Sequence, residues 1–431
     1  METWRRNLAV IWIANFFTAL GLAAFLPFLP FHVAQLGVTS DDGIKLWSGL
    51  LLGIAPLIAA FLGPVWGALG DRYGRKLMVV RALFSVTLFV GAMGFATNAW
   101  HLLACRILQG VFSGYVAPGM TLVSVVTPAD RQGKVLGSLE SALVTGTILG
   151  PLLGGVLGDR FGHASVFFTC AALSLVATLL VVAFASEGEV RAVPTDEPGA
   201  AEPPTLDPGP ERPRPLLQGL RETLRDPGLQ SLMVALFLFR FGSSMVTPLL
   251  ALFVKDLQGA TPERLSTLAG AVYAAAAVTN LFCAPLWGAW SDRRGPRAIL
   301  AWSSLGVVAT LIPQAAVVTV AQLFALRLLH GVFLAGPMPA GYAYVSARAG
   351  PARRGETYGL AFSALQLAFA LAPLAGGGIA AAWGLRQTFV VAGALVLLAA
   401  AWARLRLPPP GPPSNGRPAE RSALPEAAPR R

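Results

Sequence analysis

Arg106, Glu140 and Arg240 lie well inside long apolar runs of this chain. A charged side chain in hydrocarbon costs at least ~3 kcal/mol, so each must face protein interior or an aqueous cavity. Such a group is a candidate for moving a proton or meeting a solute. Of the 22 acidic residues, only Glu140 falls clearly within an apolar segment. It is therefore the candidate proton-binding carboxyl within the span. The alternatives for Glu140 are snorkelling to the surface or pairing with Lys134 or Arg131. Arg240, central in FLFRFGSSM, has three readings: a receptor for an anionic or zwitterionic solute, a counter-charge for Glu140, or a structural cation. Arg106 has a structural reading in which it holds backbone carbonyls of the first helix. Asn15, Tyr115, Tyr273, Asn280 and Gln366 offer polar atoms to an amphiphile cavity, although such residues also serve as ordinary packing.

The remaining chemistry is sparse. His32, His101, His163 and His330 are scattered, and Cys105, Cys170 and Cys283 lie in apolar runs, so no metal site or disulfide framework is expected. Paired acids, a nucleophile with its base, and a phosphate-binding G-x-x-x-x-G-K-[ST] loop are all missing from the sequence. Neither an enzyme nor an ATP-driven pump is expected, and no cofactor. A channel would need a continuous polar lining, which the low intramembrane charge does not supply.

The elements that position these residues follow from composition. The 431 residues are 55% hydrophobic and 13% charged, with mean hydropathy +0.61. Runs of about twenty apolar residues, the length that crosses a bilayer, recur throughout. Twelve are expected, near 8–30, 46–69, 78–97, 101–125, 135–158, 164–185, 229–254, 265–290, 298–317, 320–345, 357–382 and 387–404. The first follows METWRRN without a small-residue cleavage site and reads as an uncleaved helix. The net charge of +11 does not signal nucleic acid. Lys and Arg concentrate in the termini, the central linker and alternate loops, while Lys45, Arg160, Lys255, Arg264 and Arg386 fall on the other side. Positive charge stays inside, so both termini are expected in the cytoplasm.

Residues 186–228 interrupt the rhythm with a Pro-, Glu- and Arg-rich stretch, expected as an extended cytoplasmic linker. Within it, 216–226 has the pattern of a short amphipathic surface helix. The expected organisation is a six-helix half at 1–185, the linker, a second half at 229–404 and a disordered tail at 405–431. The halves align at an offset of 221: Pro27 with Pro248, Pro64 with Pro285, Trp66 with Trp287, Asp71 with Asp292, Arg106 with Arg327, Gly110 with Gly331. Six is even, so the repeats run parallel around a central cavity.

Three motifs carry a family resemblance. GALGDRYGRK matches G-x-x-x-D-R-x-G-R-[RK] at Gly67, Asp71, Arg72, Gly74, Arg75 and Lys76, and recurs as GAWSDRRGPR with Asp292 and Arg293. Here the glycines suit close packing and a tight turn, and Asp71 is expected near the positive end of the third helix. GTILGPLLGG matches G-x-x-x-G-P-x-x-G-G at Gly146, Gly150, Pro151, Gly154 and Gly155. LLACRILQGVFSG carries Arg106 on the fourth helix. On these residues the chain, over essentially all of 1–404, resembles the major facilitator superfamily, and within it the twelve-helix drug:proton antiporters.

The resemblance implies an all-α polytopic protein of the cell (inner) membrane, working as a monomer. It implies alternating access, with the loop motif latching the outward-facing state and the glycine-rich motif marking exporters. It ties Arg106 to proton transfer. The implied activity is export of small amphipathic organic compounds driven by protons, the alternative being a proton-coupled sugar or metabolite carrier. Its partners would be lipid, a small organic substrate and protons. Two departures stand out: the first helix offers Asn15 and no carboxylate, and Pro296 replaces a base in the second loop.

Overall fold

A computed structural model describes residues 3–128, 131–187, 225–258, 264–348 and 354–408. The expected surface helix at 216–226 lies almost wholly outside the described residues, as does most of the linker and tail. Everything regular among the described residues is helical. Hydrocarbon offers no partner to a backbone N–H or C=O, so segments this apolar can cross only by bonding their own main chain.

The first half comprises α1 Thr3–Ala24, α2 Leu29–Gln35, α3 Asp41–Tyr73, α4 Arg75–Met93, α5 Ala99–Phe112, α6 Val116–Ser124, α7 Gln132–Phe161 and α8 His163–Phe184. The second comprises α9 Pro227–Met245, α10 Leu250–Gln258, α11 Leu265–Arg294, α12 Pro296–Leu311, α13 Val320–Leu334, α14 Pro337–Arg348, α15 Arg354–Trp383 and α16 Leu385–Arg406. Eleven stretches among the described residues are long and apolar enough to span. The fourth expected crossing, 101–125, is not one helix. It divides into α5 and α6 at Ser113–Tyr115, where Gly114 takes φ +101°.

The repeat shows in matched bonds 221 residues apart. The indole N–H of Trp66 donates to Val111 O at 2.7 Å, and that of Trp287 to Val332 O at 2.6 Å. Asn98 caps α5 through His101 N; Thr319 caps α13 through Gln322 N. Each half has its own apolar core, built around Phe28, Leu51 and Phe167 in the first and Phe253, Val307 and Phe389 in the second.

The halves meet along two seams, α3 with α15 and α7 with α11. At the extracytoplasmic ends they touch backbone to backbone. A Cβ at Gly53 would stand 2.5 Å from Ala370 O, and one at Gly155 2.5 Å from Ser266 O. Gly49 and Gly270 sit equally tight, against Pro373 O and Pro151 O. Eighteen residues along a helix are five full turns and return to the same face, roughly 27 Å away. At that spacing towards the cytoplasm, Gly67 on α3 and Gly137 on α7 face nothing within 4 Å among the described residues. Gly288 on α11 meets only Pro339 of its own half, at 3.9 Å. The two halves therefore close together outside and stand apart inside. This conformation is open to the cytoplasm.

Candidate functional site: a cytoplasmic-facing cleft between two helical halves

The loop motif is tighter than the expected loop at 70–77. Helices α3 and α4 are separated by Gly74 alone, at φ +99°, and α11 and α12 by Gly295 alone, at φ +84°. Asp71 belongs to the last turn of α3 rather than to the start of the third crossing; its side chain lies outside the described residues. The acid at the start of α4 is instead Glu187, beyond the sixth crossing, whose carboxylate accepts the Lys76 N–H at 2.7 Å and covers Gly74. Lys76 also donates its ammonium to Val182 O at 2.8 Å. Arg72 rests over the Tyr73 ring at 5.4 Å. Arg72, Asp292 and Arg293 are exposed, and among the described residues no hydrogen bond or ion pair joins them to the opposite half. Gly67 does not pack closely in this conformation, contrary to expectation, because the cleft is open at its level.

The glycine-rich motif divides its work between two neighbours. Gly146, Gly150 and Gly154, four apart and so on one face, press against Phe16, Leu20 and Ala24 carbonyl oxygens of α1. Gly155 points across the seam to α11. Pro151 stays within the continuous helix α7, and its carbonyl receives Gly270 of the other half.

Of the three intramembrane charges, Arg106 is the most enclosed, at 6% exposure. Its guanidinium donates to Leu51 O at 2.7 Å, Gln109 Oε1 at 2.7 Å and Leu52 O at 3.4 Å, and lies 5.3 Å from the Phe25 ring. The carbonyls it holds belong to the second crossing, not the first. Glu140 is exposed, with no ion pair to Lys134 or Arg131 among the described residues. In the other half, Tyr342 of α14 packs edge-on against Tyr358 at 5.6 Å. Arg240 has neither hydrogen bond nor acidic partner among the described residues; its guanidinium lies 4.9 Å over the Phe369 ring of α15. Glu140 does not neutralise it.

The polar candidates separate. Gln366 is half-buried one turn before Phe369, and Tyr115 is half-buried at the break between α5 and α6. Tyr273 is 8% exposed inside the second core, its hydroxyl donated to Thr247 O, so in this conformation it braces a helix end. Asn15 is 1% exposed, and its amide nitrogen has no partner among the described residues. At the cytoplasmic entrance to the second half, Asp226 caps α9 through Gly228 N and Leu229 N and accepts Arg348 at 2.8 Å. Burial opposes ionisation of Asp226, but Arg348 and the two N–H groups outweigh it and hold the carboxyl below its ordinary value.

Two six-helix halves, repeated in parallel and parted by a cleft open on one side, define a rocker-type secondary transporter. The Major Facilitator Superfamily profile matches residues 11–278 and 232–430, and the chain belongs to that superfamily. It is therefore a multi-pass protein of the cell membrane that carries small molecules. The chain is 33% identical over 408 residues to the multidrug resistance protein MdtG of Dickeya zeae (strain Ech586), covering 94% of this chain and 95% of the relative. To MdtG of Escherichia coli O1:K1 / APEC it is 32% identical over 409 residues, covering 94% and 95%. Its fold is similar to that of a bacterial homologue of the human lysosomal transporter Spinster, inward-facing and unoccupied, at TM-score 0.76, 18% identity and coverage of 93% and 97%. The human organic anion transporter MFSD10 is similar at TM-score 0.64 and 18% identity, covering 94% and 100%.

Proposed function

We propose that this transporter exports small amphipathic organic compounds in exchange for protons, as a monomer, with the proton gradient as its energy source. Relatives named for multidrug resistance over nearly their whole length support the cargo class. The observation that carries the proton reading is Glu140: a carboxyl with no ion pair among the described residues, on the antiporter-motif helix at the mouth of a cleft open to the cytoplasm. A carrier that has just turned inward must release its proton there. Arg106, locked by three hydrogen bonds, positions the second and fourth crossings against each other. Arg240 over Phe369 receives an anionic or zwitterionic group of the cargo, with Gln366 beside it. The motif residues Gly67, Asp71, Arg72, Gly74, Arg75, Lys76, Asp292 and Arg293 ring the cytoplasmic rim and close it in the opposite state.

Inverted membrane vesicles energised by respiration and reporting through a pH-sensitive dye test this reading. Cationic, neutral and anionic drugs added to wild type should collapse the proton gradient, and Glu140→Gln should lose that response by roughly 100-fold, in the range usual for removing a proton-transfer group. A Glu140→Gln variant that keeps full drug-induced proton flux would remove Glu140 from the mechanism. Silence of wild type across the panel would overturn the drug reading.

A further inference from the structure

The extracytoplasmic seam holds a contact that neither the motifs nor the proton reading uses. Helix α11 begins without a cap of its own. Its N-cap residue, Arg264, is the one non-glycine residue at positive φ among the described residues, makes no capping bond through its side chain, and no acid occupies the first turn. The cap comes from the other half. Asp159, in the last turn of α7, accepts Ser266 N at 3.0 Å through Oδ1, and Thr267 N at 2.8 Å and the Thr267 hydroxyl at 2.6 Å through Oδ2. Three donors from one half thus converge on one carboxylate of the other.

Placement makes this contact directional. A carboxylate at the C-terminal end of its own helix faces the negative end of that helix's dipole, which disfavours it. Set against the N-terminal end of α11, the same charge is favoured and its donors are satisfied. Parting the halves outside therefore exchanges a good site for a poor one. Among the described residues the other seam has no such device. The repeat counterpart of Asp159 is Ala381, and the counterpart of α11, helix α3, caps itself through Ser40 to Gly43 N, with Asp41 and Asp42 in its first turn.

We propose that Asp159 is the clasp of the extracytoplasmic gate: its docking onto the start of α11 holds the outside closed and sets how often the transporter faces outward. Gly155 and Gly270, one to two turns deeper, permit the close approach that brings the carboxylate within reach. The proposal rests on alternating access and not on the identity of cargo or coupling ion.

Spin-label distance measurements on the full chain in lipid nanodiscs test it, with labels at Thr39→Cys and Val318→Cys, exposed extracytoplasmic sites in opposite halves, in a cysteine-free background. Wild type should give a dominant short distance. Asp159→Ala should raise the ratio of open to closed outer gate roughly tenfold, about 1.4 kcal/mol. Asp159→Asn, which keeps an acceptor but no charge, should fall between, and Thr267→Val should shift it least. A Thr39→Cys and Phe95→Cys pair within one half should not move. If the Ala variant does not fold, the Asn variant carries the test. Unchanged cross-gate distances in the folded variants would overturn the proposal, and so would a lower melting temperature with no change in distance, which would mark a purely structural cap. No transport is read, so a failed efflux assay leaves this test intact.

Discussion

Arg240 illustrates how a single residue turns position into selectivity. It stands mid-helix without an acidic partner among the described residues, covered on one side by the Phe369 ring. A guanidinium so placed still has donors to give, and a charged hydrogen bond is worth about 1.5–3 kcal/mol. Arg240→Gln should therefore weaken anionic and zwitterionic compounds by roughly 10- to 100-fold. Cations should bind unchanged or more tightly. Tryptophan-quenching titrations of purified protein against a charge-matched series would measure this, and equal losses for both signs would exclude Arg240 as a charge reader. Arg240→Lys should recover only part of the affinity, since an ammonium lacks the planar fork. Arg106 shows the converse: with Leu51, Leu52 and Gln109 engaged, it has little left for a ligand. The sequence marks both arginines as anomalous but does not distinguish them, because that depends on which carbonyls lie within reach.

At the scale of the element, α7 is one helix with two jobs on adjacent faces. Gly154 presses on Ala24 of its own half, whereas Gly155 presses on Ser266 of the other. Gly154→Val should overpack a permanent interface and cost about 1–3 kcal/mol, seen as a lower melting temperature. Gly155→Val should strain an interface that opens in every cycle, so it should depress the melting temperature less and favour the outward-open state. Equal melting losses with no conformational shift for either would mean that both faces are static. The glycine pattern was visible in sequence; its division between two partners was not, since a 100° step between neighbours says nothing of what stands opposite. Likewise the break at Ser113–Tyr115 was read as continuous helix because its flanks are uniformly apolar.

For the whole molecule, the cytoplasmic cleft makes bare glycines into probes. Gly137→Cys should fold normally and react readily with a bulky maleimide, and the modified protein should lose transport because the inner seam can no longer close. Full transport after stoichiometric labelling would contradict the open-inside geometry. Much of this architecture was legible beforehand: the all-helical membrane-spanning class and the two-fold repeat follow from hydropathy and the 221-residue offset. The contacts of Asp159 and Glu187 were not legible, for they join residues more than 100 apart whose pairing depends on which helix ends meet. Neither acid interrupts an apolar run, so hydropathy does not mark either.

The eighteen-residue spacing on α3, α7 and α11 has one further consequence. The faces that make the outer seal carry a second glycine eighteen residues towards the cytoplasm, and on the alternating-access reading the inner seal forms there. Tipping the molecule over replaces one glycine-lined junction by another of similar kind, like weights moved between the pans of a balance. Two states so alike in composition differ little in free energy, and a ligand need supply only a small differential affinity to reverse their order. On the proposed mechanism, a small bias such as the docking of Asp159 then suffices to decide which side is open.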